Sequence, residues 1–202
     1  MNLNRRQWMQ AASAAIVLPN QSDAQESPLR AAGQDVEILI SPVSAHTFRI
    51  TVLPVRDDKP PTVPTDGSLV QSYWGEPIAK LRRAPATQPI ASGNLQIKVT
   101  NTPLTFVIAT KQGDSLQRLT LDPDTGVLTF LTGDAPLLGL GEGGPQFDRR
   151  GATDRMRSGQ GGYQLRTHGG RVPIPWIVGT SGWAIYIHQP FGTFDFTGAE
   201  SK

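Results

Sequence analysis

The sequence predicts an all-β chain folded as an antiparallel β-sandwich, and three observations predict it. Apolar and polar residues alternate at period two through much of the segment from Asp35 to Leu131. Clusters of turn-forming residues interrupt that alternation about every ten residues, the spacing of a sandwich or barrel meander. After residue 24, no segment carries a convincing 3.6-residue apolar stripe over ten positions, so helix content should be low. The composition agrees. With 21 glycines, 17 prolines and 38% apolar residues in 202, the chain suits short strands joined by turns around one core.

The N-terminus is expected to lie outside that core. Arg5-Arg6 is followed by an alanine-rich apolar run from Ala11 to Leu18, which is shorter than the roughly 20 residues that span a bilayer. It resembles a twin-arginine export signal, with Ser22-Asp23-Ala24 as an A-x-A-like cleavage site after Ala24. An amphipathic helix packed on the domain is the alternative. The expected organisation is therefore a signal peptide over 1–24, a linker over 25–34 and a sandwich domain over 35–202. The mature protein is expected to be exported to the periplasm with no stable membrane anchor.

Val36, Ile38 and Ile40 alternate with their neighbours up to Ser41-Pro42, which is expected to break the run; Phe48, Ile50 and Val52 then form a second strand. Four prolines (Pro54, Pro60, Pro61 and Pro64) and Asp57-Asp58-Lys59 mark a surface loop. Leu69 to Trp74 is a candidate short strand. The meander is clearest in Leu95-Ile97-Val99, Leu104-Phe106-Ile108, Leu119-Leu121 and Val127 to Leu131. Asn101-Thr102-Pro103, Lys111 to Asp114 and Asp122 to Gly126 supply its turns. Further on, Pro173 to Gly179 and Trp183 to His188 form a hairpin around Thr180-Ser181-Gly182. Between Gly141 and Pro173 there is little periodicity, and long stretches of that kind are usually functional.

Several function classes fall away. A net charge of +2 gives no drive toward nucleic acid or an anionic membrane. The absence of cysteine excludes thiolate chemistry, and three scattered histidines make no zinc pattern, so no metal or cofactor is expected. Gly139-Leu140-Gly141-Glu142-Gly143-Gly144 matches the dinucleotide spacing, but Pro145 and a polar stretch follow it where a helix is required. Gly179-Thr180-Ser181-Gly182 misplaces the glycines of a nucleophile elbow. Glu142, Asp148, Asp154 and Asp195 invite comparison with a glycosidase pair. Each also has a plain role to hand: Glu142 and Asp148 as partners of Arg149 or Arg150, and Asp195 as the cap of a turn after Gly192. Tyr163, Trp176, Trp183 and Tyr186 invite a sugar-platform reading, but Trp176 and Trp183 lie in strand patterns and are expected in the core. Tyr163, beside Arg166, Thr167, His168 and Arg171, is the better binding candidate, because an aromatic face stacks on a pyranose. His168 by itself is as well suited to a backbone hydrogen bond as to a ligand.

Four segments carry a resemblance: Leu138-Gly139-Leu140-Gly141-Glu142, Phe147-Asp148-Arg149-Arg150-Gly151, Pro173-Ile174-Pro175-Trp176 and Gly182-Trp183-Ala184-Ile185-Tyr186. Together they resemble the N-terminal domain of glycoside hydrolase family 31, the α-glucosidase and α-xylosidase family. The likeness is good within 137–197, and the meander upstream agrees in style more than in letters. It implies a galactose-mutarotase-like sandwich standing before a (β/α)8 barrel. In that family the barrel holds an aspartate nucleophile and an aspartate acid/base, and hydrolysis retains configuration through a glycosyl-enzyme.

Lys202 precedes any such barrel, so the resemblance implies an N-terminal fragment, incomplete at its C-terminal end and with no catalytic residue of its own. It further implies that the loop Asp154 to Arg171 reaches the mouth of the active site, with Asp154, Arg157, Tyr163 and His168 touching sugar. The partners expected are an α-linked oligosaccharide or glycoside and the missing C-terminal barrel, with no nucleic acid. That loop is richer in glycine and arginine than the family pattern (Gly159, Gly161, Gly162; Arg155, Arg157, Arg166, Arg171), which favours a charged or branched glycoside. A stand-alone exported carbohydrate-binding module and a purely structural sandwich are the competing readings.

Overall fold

A computed structural model describes residues 27–56, 69, 71, 73–84, 88–144, 146–157, 172–189 and 191–202. Among them every regular element is a strand and every pairing of strands is antiparallel. The all-β expectation therefore holds, and the architecture is sandwich-like.

The first sheet contains β1 (Arg30–Ala31), β2 (Gln34–Ser44), β3 (Thr47–Pro54) and β4 (Ala79–Leu81), with β2 central. Leu29 is fully buried and Ala31 nearly so, so residues 29–34 belong to the domain and not to a linker. Their apolar side chains fall on the same inner face as Val36, Ile38 and Ile40. Pro42 does not end β2 as expected. Ile78 N donates to Ile40 O at 2.8 Å, so even-numbered positions of β2 turn their backbone groups toward β4. β4 has ended by then, its last pair being Ile40↔Ala79. Pro42 thus lacks a donor where no ladder bond is needed, and the strand runs on to a bulge at Pro42/Ser44. Of the candidate strand Leu69 to Trp74, the described residues are not in a strand.

The second sheet is the meander β5 (Ile90–Ser92), β6 (Leu95–Thr100), β7 (Leu104–Thr110), β8 (Ser115–Leu121) and β9 (Leu128–Leu131). Its inner residues Ile97, Val99, Leu104 and Phe106 meet Val36, Ile38 and Ile40 of the first sheet in one core cluster. The turn from β8 to β9 is built by Asp122, whose Oδ1 accepts from Asp124 N, Thr125 N and Thr125 Oγ1 at 3.0, 2.7 and 2.8 Å. These bonds, those of Thr125 foremost, hold its carboxyl below the usual carboxylate range.

The chain then forms β10 (Leu137–Gly139), β11 (Thr153–Arg155), β12 (Trp176–Gly179), β13 (Trp183–Tyr186), β14 (Thr193–Asp195) and β15 (Glu200–Ser201). β10, β12 and β13 make a three-stranded sheet, β11 pairs β14, and β15 returns to pair β9 on the meander's edge. The predicted hairpin is β12–β13, with Gly179 opposite Trp183. A second core cluster of Phe130, Leu137, Leu140, Met156, Ile177, Phe194 and Phe196 lies beneath these elements, and Leu119 packs against both clusters. β11 has no strand signal because three residues with one buried side chain, Asp154, show no period.

Candidate functional site

Two motifs far apart in sequence form one piece of backbone. Gly139 pairs with Ile177, Leu140 N donates to Trp176 O at 2.8 Å, and Ile174 N donates to Leu140 O at 3.4 Å. Glu142 and Val172 then exchange bonds of 3.0 and 3.2 Å. The Gly-Leu-Gly-Glu segment therefore lies directly against the Val-Pro-Ile-Pro-Trp segment, and the excursion 143–171 leaves and returns at adjacent points. The glycines are required by this contact. Gly139 and Gly141 have φ of 105° and 75°, and a Cβ would stand 2.1 Å from Trp176 O and 2.0 Å from Val172 O respectively. Between them Leu140, itself at φ 63°, drives its side chain fully into the second core. Turn geometry and close approach account for the glycines, and among the described residues no helix N-terminus follows them to receive a phosphate.

Arg149 ties this unit to β11. Its Nε and Nη2 donate to Gly139 O at 3.1 and 2.8 Å, and Nη2 reaches Gly141 O at 3.4 Å. Nη1 lies 3.9 Å from Asp154 Oδ2, and both residues are almost fully buried, at 6% and 4% exposure. A buried cation in such a place is tolerable because carbonyls and a carboxylate surround it. Gly144 makes the room: a Cβ there would fall 1.6 Å from Nη1.

Asp154, expected at the sugar, is thus turned inward onto Arg149 in a strand paired with Phe194. Arg157 is exposed three residues later, partway through the excursion and at the end of its described part. Tyr163 and His168 lie outside the described residues. The structure does not bring Asp154 and Arg157 onto one surface. The reason is strand alternation: Asp154 and Met156 point in and Arg155 points out.

Two other carboxylates hold turns. Asp148 accepts from Leu137 N at 3.0 Å and from Arg150 Nε and Nη2 at 3.0 and 2.6 Å, while Gln146 Nε2 bridges the carbonyls of Asp148 and Arg150. The Arg150 hydrogen bonds, before all else, hold the Asp148 carboxyl far below the usual carboxylate range. Asp195 Oδ1 accepts from Thr197 N and Oγ1 at 3.0 and 2.6 Å, which lowers its pKa in the same way. The expected pairing of Asp148 and turn role of Asp195 both hold. Among the described residues no three His, Asp or Glu side chains stand together as a metal site.

These bonds set an acid limb. Asp122, Asp148 and Asp195 have pKa values lowered by folding, so the stability they contribute is complete above the ordinary carboxylate pKa and is lost as pH falls below it. Urea midpoints measured from pH 5 to pH 2 should fall steeply in the native protein and less steeply in Asp148→Asn. Equal slopes would show that Asp148 does not contribute.

The two tryptophans of the hairpin separate. Trp183 is half-buried, edge-on to Phe130 at 6.0 Å, over Gly179, where a Cβ would meet its indole at 2.2 Å. Trp176 is not in the core as expected. It is 46% exposed, because Ile177 and Gly179 take the inner positions of β12 and leave Trp176 and Val178 outward. The signal is present in the sequence: placing Ile177 inward puts Trp176 on the opposite face.

Comparison with protein-family models, curated proteins and solved structures returned no match.

Proposed function

We propose that this chain is the N-terminal β-sandwich of an exported retaining α-glycosidase of the family 31 type, which supports a catalytic barrel and lends the loop 154–171 to the substrate entrance. One observation supports this reading above the others. The Gly-Leu-Gly-Glu and Pro-Ile-Pro-Trp segments that carry the resemblance pack on each other through contacts only glycine permits, with the Gly-Trp-Ala-Ile-Tyr strand alongside. That packing makes the motifs a single structural unit, and it sets the two ends of the excursion on a braced base.

In this reading the chain's own residues have positioning roles. Arg149 and Asp154 brace the base, Arg157 is exposed, and Tyr163 and His168 follow it in the sequence, outside the described residues. Bond cleavage belongs to the barrel, whose two aspartates would act as nucleophile and acid/base. The reading frame is expected to continue past the codon for Lys202 with several hundred residues of alternating strand and helix pattern, an order of size set by a (β/α)8 barrel. A stop codon there would overturn the proposal. In the full-length enzyme, Arg157→Ala is expected to raise KM for an α-glycoside several-fold with kcat little changed, since it removes a contact made equally in ground and transition states.

A further inference from the structure

The outward face of the three-stranded sheet is not the polar surface an antiparallel sheet usually turns to water. Cross-strand partners share a face, so the row Leu138, Val178 and Ala184 and the row Trp176 and Tyr186 all point away from the core. His188 continues the aromatic line beyond Tyr186. Ring centroids lie 6.2 Å apart for Trp176 and Tyr186 and 6.1 Å apart for Tyr186 and His188, so the three form a short run along the hairpin. The inner side is just as regular: Leu137 and Ile177 are buried, and Trp183 and Ile185 pack on the second core.

We propose that Trp176 and Tyr186, with the His188 ring stacked beside Tyr186, form a surface site for a neutral pyranose chain, built from residues other than those of 154–171. The chemistry selects the ligand class. Trp176, Tyr186, Val178, Leu138 and Ala184 carry no charge, so the face offers nothing to a phosphate backbone or an anionic lipid surface. A pyranose presents an apolar face of C–H groups and a rim of hydroxyls. The Trp176 ring suits the first, and the Tyr186 hydroxyl suits the second. Aromatic side chains held on paired strands lose little conformational freedom on binding, which is why a shallow site of this kind can work without a pocket. The proposal rests on the carbohydrate chemistry of the proposed function but not on a barrel.

Isothermal titration of the full 202-residue chain with maltoheptaose, and separately with cellohexaose as a chain of different linkage, tests it. Saturable binding of at least one, with Kd on the order of 1 mM or tighter, is the expected result, and Trp176→Ala is expected to weaken it at least tenfold. Tyr186→Ala should weaken it as well, and Trp176→Phe should retain part of it, which separates loss of the site from loss of the fold. The proposal is overturned if neither sugar binds, or if binding survives Trp176→Ala. It is also overturned if sedimentation shows self-association that Trp176→Ala abolishes and neither sugar displaces, since the face then belongs to a protein contact. None of these outcomes depends on whether a barrel is encoded beyond codon 202, so this site and the proposed function can fail independently.

Discussion

Gly141→Ala is expected to lower the unfolding free energy by about 3–4 kcal/mol, a severe effect for one methyl group. Two terms contribute. The left-handed backbone at φ 75° strains any residue with a Cβ, by about 1 kcal/mol. The rest comes from contact: the new atom would stand 2.0 Å from Val172 O and 2.7 Å from Ile174 N, so the Glu142–Val172 bridge has to open. Gly133 supplies the control, because its φ is 73° and nothing lies within 4 Å of its would-be Cβ. Gly133→Ala should therefore cost only the strain. Thermal unfolding should place Gly141→Ala on the order of 10 °C below the native protein and Gly133→Ala a few degrees below it. Equal shifts would mean that backbone conformation alone, and not the crossing of the two motifs, calls for glycine at 141.

Arg149→Met should cost a similar amount, about 3 kcal/mol, through removal of a charge. Methionine keeps much of the length and apolar bulk of the stem, so little packing is lost. What disappears are the donors to Gly139 O and Gly141 O and the cation beside the Asp154 carboxylate. Buried carbonyls stripped of a donor cost about 1–3 kcal/mol each before any relaxation, and a buried carboxylate deprived of its cation adds to that. Arg149→Lys should recover only part, since one ammonium cannot reproduce the planar fork that spans both carbonyls. Chemical denaturation of the three proteins checks the order native, Lys, Met. A methionine variant as stable as the native protein would show that the guanidinium is not what couples β11 to the glycine turn.

How far the fold can be read depends on how long each pattern runs. β2, β3, β6, β7 and β9 repeat an apolar side chain on every second residue for four or more residues, and each lies where its alternation places it, whereas β8 shows the pattern only at Leu119 and Leu121 and begins earlier, with Gln117 buried. β4, β5 and β11 are three residues long and carry no period to detect. Pro42 misleads because a proline ends a strand only where its missing donor is needed, and that depends on how far β4 extends alongside. Leu29 reads as linker because one buried leucine between a proline and an arginine has no pattern.

The candidate site divides along the same line. Local chemistry is legible: Asp148 with Arg150, the turn role of Asp195, which accepts from Thr197, and the β12–β13 hairpin with its turn. Which way a side chain faces is not. Asp154 turns inward to Arg149 and Trp176 turns outward, each opposite to the expectation, because on a short strand a shift of one residue exchanges the two faces.

By itself the sequence determined that the described part of this chain is all-β and antiparallel and that its glycine-rich segment is not a phosphate loop, since periodicity and the residues after a motif are local properties. Only the tertiary structure decided why those glycines are needed. Gly139 and Gly141 are demanded by the backbone of residues 172–176, more than thirty positions away in the chain, whose carbonyl oxygens occupy the space a side chain would take.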